Sequence, residues 1–138
     1  MSIVQRDYLM RMIEQCAAAI AEITALIRAG EFDLALIVVR KTSDLVLGNL
    51  GPVYERLDAT SLVDLIGKLD LDRVRMYAAL LAEEGTIRDR RGEVPRAQYC
   101  FRRALDLFDA ISLSGARLRT ADWERIDMLR PRVEAASG

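Results

Sequence analysis

Histidine is absent from this 138-residue chain. That absence removes histidine general bases, Ser-His and Cys-His activated nucleophiles, and histidine ligation of metals. Cysteine is scarce: Cys16 and Cys100 are the two, each on or beside an apolar helical stripe, where a thiol behaves as a small hydrophobe and a buried, reduced group is expected. Lysine occurs only at Lys41 and Lys68. No Walker A or GxGxxG motif is present, and the glycines of Gly48 to Pro52 read as a helix terminator and turn. No apolar run is long enough to span a bilayer. The opening MSIVQRDYLMRM sets Arg6, Asp7 and Arg11 inside an amphipathic pattern instead of ahead of an apolar signal core, so a cytoplasmic protein without membrane contact is expected. A net charge of −1 makes no bulk case for nucleic acid.

What the chain does contain is helical periodicity, within a globular balance of 51% hydrophobic and 30% charged residues. In Gly92 to Ile111, the residues Val94, Ala97, Phe101, Ala104, Phe108 and Ile111 step alternately by three and four, which lays them along one helical stripe that must be buried. Small alanines alternating with rings let a neighbouring helix approach closely. From about Gln5 to Ala29, the residues Leu9, Ile13, Cys16, Ile20, Ile23 and Ile27 form a second long stripe, ended by Gly30. The run Leu34 to Val39 is continuously apolar and resembles a buried strand as much as a helix; the stripe Phe32, Ala35, Val39, Val46 and the lack of a partner strand favour a helix over Glu31 to Leu47.

An irregular connection is expected over about 48–59, then a short helix capped by Thr60 or Ser61 and stopped by Gly67. Asp70 caps a longer helix to about Arg90 bearing Val74, Ala78 and Leu81. Thr120 caps a terminal helix carrying Trp123, Ile126 and Leu129, disrupted near Pro131, with a frayed tail over about 132–138. The whole reads as one domain.

Two joints share a pattern: AGEFDLAL at Ala29 to Leu36 and RGEVPRAQ at Arg91 to Gln98, each with Gly, Glu, an apolar residue, and Ala five places after the Gly. This resembles the turn of a tetratricopeptide repeat, with Gly85 at the packing glycine of the first helix and Phe101, Ala104 and Leu105 at the large, small and aliphatic positions of the second. The joint glycines are 62 residues apart, not one repeat length, and GNLGPVYERLDATSLVDLIG between them matches no repeat. With QRDYLMRMIEQ, SLVDLIG and RALDLF, the chain also resembles an uncharacterised family of small bacterial helical proteins, a resemblance that implies a fold and no activity. The implied fold is all-α, with tetratricopeptide-like hairpins of about five to six helices in a right-handed bundle or short solenoid.

The same resemblance implies a partner groove on the first helix of each hairpin, lined by Ala17, Ile20, Thr24, Ile27 and Arg28, and by Ala79, Ala82, Thr86, Asp89 and Arg90. A second candidate is the basic cluster Arg88, Arg90, Arg91, Arg96, Arg102 and Arg103. Basic and acidic residues number 9 and 13 over Met1 to Ile87 but 11 and 8 from Arg88 onward, so the charge is segregated, although Asp89, Glu93, Asp106 and Asp109 are interspersed. The carboxylates Asp70 with Asp72 and Glu83 with Glu84 are the remaining chemistry, yet neighbouring helical residues point about 100° apart and do not converge. The sequence therefore leads to a non-enzymatic interaction module without cofactor or metal, binding a protein, a peptide or a second copy of itself. A nucleic-acid-associated protein using the arginines is the alternative, and a carboxylate-dependent enzyme comes third. A homodimer through the first helix is expected, because one chain has difficulty covering Ile20, Ile23, Leu26 and Ile27 together with the alanines beside them.

Overall fold

The computed structural model describes residues 2–137. The order is α1 (Ile3–Arg28), α2 (Phe32–Leu47), a 3-10 turn at Gly48–Leu50, α3 (Gly51–Arg56), α4 (Ala59–Leu62), a wide π turn at Val63–Gly67, α5 (Lys68–Arg90), α6 (Val94–Leu113) and α7 (Thr120–Ser137). Among the described residues there is no strand, and Leu34 to Val39 is helical. Helices α1 and α2 form one hairpin and α5 and α6 another; α1 and α2 both pack on α5, and α7 packs on α6 and α5. The centre of the molecule is thus α5, not the strongly patterned α6.

The two joints are copies of one backbone turn. Gly30 and Gly92 have φ of 76° and 81°, and the following Glu31 and Glu93 share ψ 66°. The Glu31 N–H donates to the Leu26 carbonyl and the Glu93 N–H to that of Arg88, each at 2.9 Å. Positive φ is the conformation glycine adopts without the Cβ clash, and the 6→1 bond satisfies a carbonyl left open at the end of each first helix. One step later, Ala35 N–H donates to Glu31 and Ala97 N–H to Glu93, starting the second helices alike. Ala35 and Ala97 are both fully covered, as small residues must be where two helices meet this closely.

Several local expectations need correction. The connection over 48–59 is ordered, with helix over Gly51–Arg56. Tyr54 is fully buried there, its ring edge-on to Tyr77 at 5.2 Å, and its carbonyl accepts from Arg103 Nη2 at 2.6 Å. The short helix is capped by Asp58, whose carboxylate accepts from the Ser61 N–H at 2.7 Å, instead of by Thr60 or Ser61. Asp70, with φ −153° inside α5, breaks the helix and starts its regular part; its carboxylate accepts from Arg73 Nε at 2.6 Å. Arg73 Nη1 donates in turn to the Val46 carbonyl, tying the last turn of α2 to α5.

On α6, Val94 is exposed because it lies in the first turn, whereas Cys100, Leu107 and Ala110 join the buried set. Two buried faces are needed because α5 and α7 both pack on this helix. Helix α7 passes through Pro131 to Ser137, so 132–137 is helical where fraying was expected, while 138 lies outside the described residues. Ile126, Leu129 and Val133 carry its buried stripe, and Trp123 lies half out of it.

Candidate functional site

The groove expected on the first helices is mostly filled. Ala79 and Ala82 are buried, as is Ile27, because α5 is packed on by α1, α2, α6 and α7 and small residues on it permit that approach. Ile20, Thr24 and Thr86 are half-buried, and the two threonines turn their hydroxyls to the carbonyls of Ile20 and Ala82. Ala17, Arg28 and Asp89 are exposed, and the exposed Arg90 lies 5.9 Å over the Phe32 ring. These residues do not converge on an open site.

The arginine cluster is largely neutralised from within. Glu93, on the joint, meets Arg88 at 3.2 Å, Arg91 at 3.3 Å and Arg96 at 3.7 Å. Arg88 is buried and also pairs with Glu84, and Arg91 reaches Asp33 at the start of α2. Arg103 points inward to Tyr54, leaving Arg102 on the exposed side. The carboxylates diverge likewise: Glu83 faces Arg125, Glu84 faces Arg88, Asp70 holds Arg73, and Asp72 holds Arg75 and Arg119. Burial pushes the Glu83 carboxyl above the ordinary range, with Arg125 opposing the shift in part. Among the described residues no group of three or more Cys, Asp or Glu side chains is placed to hold a metal ion.

The open feature lies elsewhere, between α2 and α6. A cleft of about 700 Å³ runs over α5, lined by Leu36, Val39, Arg40, Ser43, Asp44 and Leu47 of α2, Tyr77, Leu80, Leu81, Glu84 and Arg88 of α5, and Pro95, Arg96, Tyr99 and Cys100 of α6. Each helix contributes residues at steps of three and four, so three stripes face one slot. Gly48, Gly51 and Glu55 close one end. The joints mark the other end, since the Asp33 to Arg91 pair sets the start of α2 beside the end of α5.

Charge is divided along the slot. Arg40, Arg88 and Arg96 stand toward the joints, with Glu84 among them, and Asp44 and Glu55 toward the connection. Leucines, Val39 and Tyr77 supply the apolar floor, and Tyr99 stands 62% exposed on the α6 wall. An apolar floor between rims that carry as much polar surface suits an amphipathic ligand.

Cys100 belongs to this floor but is chemically quiet. Its Sγ lies 3.6 Å from Glu84 Oε2, and burial, reinforced by that carboxylate, pushes the thiol up to about 12; burial pushes Cys16 up to about 11, with Arg125 opposing in part. With native protein at pH 8, a thiol reagent is expected to label both positions at least about tenfold more slowly than in denaturant, because only a minute fraction is thiolate and both sulfurs are covered. Native labelling of either cysteine at the denatured rate would show that its helix is not packed as described.

The sequence did carry a signal for the cleft. Six consecutive apolar residues on α2 exceed what one buried stripe uses: Ala35 and Val39 enter the core, Leu36 lines the slot, and Leu34 and Ile37 stay exposed. No protein-family model, curated protein or solved structure matches the chain.

Proposed function

We propose that this chain is a non-enzymatic interaction module, made of two tetratricopeptide-like hairpins, that takes an amphipathic helix of a protein partner in the cleft between α2 and α6. The observation carrying this reading is the convergence of three helical stripes on one slot with an apolar floor and charged rims, the shape into which a helix with apolar residues at i, i+3/4 and i+7 fits. The repeated joint geometry at Gly30 and Gly92 supports the hairpin assignment. Nucleic acid is the weaker reading, because Glu93 alone draws in three of the arginines that would meet phosphate. The diverging carboxylates, each held by its own arginine, argue against an enzyme in the same way.

A displayed library of helical peptides tests this. Selection against the native protein is expected to enrich sequences with the i, i+3/4, i+7 apolar pattern, and Tyr99→Glu is expected to weaken the winners by about tenfold or more, roughly 1.4 kcal/mol. Tyr99 is exposed, so the variant should keep its fold. Winners without helical periodicity, or winners indifferent to Tyr99→Glu, would remove the cleft as the site.

A further inference from the structure

Helix α1 has 26 residues and its hairpin partner α2 has 16, so α1 outruns α2 by ten residues, about 15 Å at 1.5 Å per residue. The part that projects is held helical by its own capping box: the Gln5 N–H donates to Ser2 Oγ at 3.1 Å and the Ser2 N–H to Gln5 Oε1 at 3.0 Å. Every residue from Ser2 to Tyr8 is exposed, among them Ile3 at 78%, Val4 at 76% and Tyr8 at 54%. The chain's own fold therefore leaves an apolar helical arm without a cover. No residue of α1 lines the cleft, and a straight helix that continues into the body does not double back to reach it.

Resting on the cleft reading above, we infer that the helix received by the cleft is the α1 arm of a second copy of this chain. Two matches between arm and cleft select this occupant. The first is length: Ile3 to Arg11 spans about 12 Å as a helix, and the α2 wall from Leu36 to Leu47 about 16 Å.

The second is charge. On the arm, Asp7 and Arg11 are four residues apart, opposite in sign, and flank the Val4 and Tyr8 edge. On the α2 wall, Arg40 and Asp44 have the same spacing in the reverse order of sign, and both are exposed. None of the four enters an ion pair within the chain among the described residues. With the arm parallel to α2, Asp7 meets Arg40 and Arg11 meets Asp44 in one register, while Val4 and Tyr8 turn to the floor. Antiparallel docking places like charges opposite each other, so the pattern also selects a direction. Each copy has one arm and one cleft, so a reciprocal exchange between two copies would leave neither unfilled.

Charge reversal tests the contact. Three variants are compared with the native chain by sedimentation and light scattering from about 1 to 200 μM: Asp7→Arg with Arg11→Asp, Arg40→Asp with Asp44→Arg, and all four together. All four positions are exposed, so helical circular dichroism should be unchanged, as should melting at concentrations where the native chain is dissociated. The native chain is expected to self-associate, each pair of reversals to weaken association by about tenfold, and the fourfold variant to recover to within about threefold of native. A native chain that stays monomeric, an arm reversal without effect, or a fourfold variant that fails to recover overturns the inference. If selected helical peptides still bind the cleft in that event, the cleft reading stands and only its occupant is wrong; if no helix binds, both fall.

Discussion

Phe101→Ala is expected to lower the unfolding free energy by about 3 to 5 kcal/mol, whereas Arg102→Ala, one residue on, should cost less than about 1 kcal/mol. Phe101 is 1% exposed and belongs to the central core, and the Arg132 guanidinium lies 5.7 Å over its ring from α7. Removing the ring forfeits its transfer from water and leaves a cavity where α5, α6 and α7 meet. Arg102 is on the exposed side of the same turn. Urea unfolding of the two variants reads the difference; equal losses would mean that the buried face of α6 is wrongly assigned.

Gly85→Ala should also destabilise, by about 1 to 3 kcal/mol, although alanine is intrinsically the better helix residue by about 1 kcal/mol. A Cβ at this position would lie 2.6 Å from two ring carbons of Phe101 and 3.2 Å from the Cβ of Cys100. Neither can retreat, since both side chains are buried. The sharper expectation is a change of sign. In the Phe101→Ala background the obstructing ring is gone, and Gly85→Ala should become neutral or stabilising by up to about 1 kcal/mol, as helix propensity and partial filling of the cavity act together. A double-mutant cycle showing simple additivity would refute the close contact of these two positions.

Helix existence and type were legible in the sequence because the signals were local: three-and-four spacing on α1 and α6, glycines at the two joints, Asp70 at the start of the regular part of α5. The contact of Gly85 with Phe101 was not legible in the sequence, which named the two residues separately; the structure brings them together. What periodicity did not reveal was the number of neighbours each helix has. Ala79 and Ala82 read equally as an open groove or as a close crossing, and only the packing of four helices on α5 decides for the crossing. The cover of Ile23 and Ile27 is similar: α2 and α5 bury them within one chain, and the apolar surface of α1 that stays open lies at its start, at Ile3, Val4 and Tyr8.

The order of the connection was missed because Gly48, Gly51 and Pro52 are turn residues by composition. There, Pro52 serves a helix start, where its missing N–H costs nothing, and Tyr54 anchors the segment under Arg103. Charges were the least legible. A count of charges from Arg88 onward gives a basic end, but one glutamate placed by the joint at Gly92 draws in three of its arginines.

The duplicated joint has a kinetic consequence. Each hairpin closes over only a few residues at a turn whose glycine is already free to take positive φ, so the contacts of α1 with α2 and of α5 with α6 are short-range in the chain and form without a large loop-closure entropy. Docking one hairpin on the other must instead bring α2 to α5 across the segment from Gly48 to Gly67. Joining the two hairpins therefore closes a longer loop than forming either one, and the segment that carries Tyr54 sets that length.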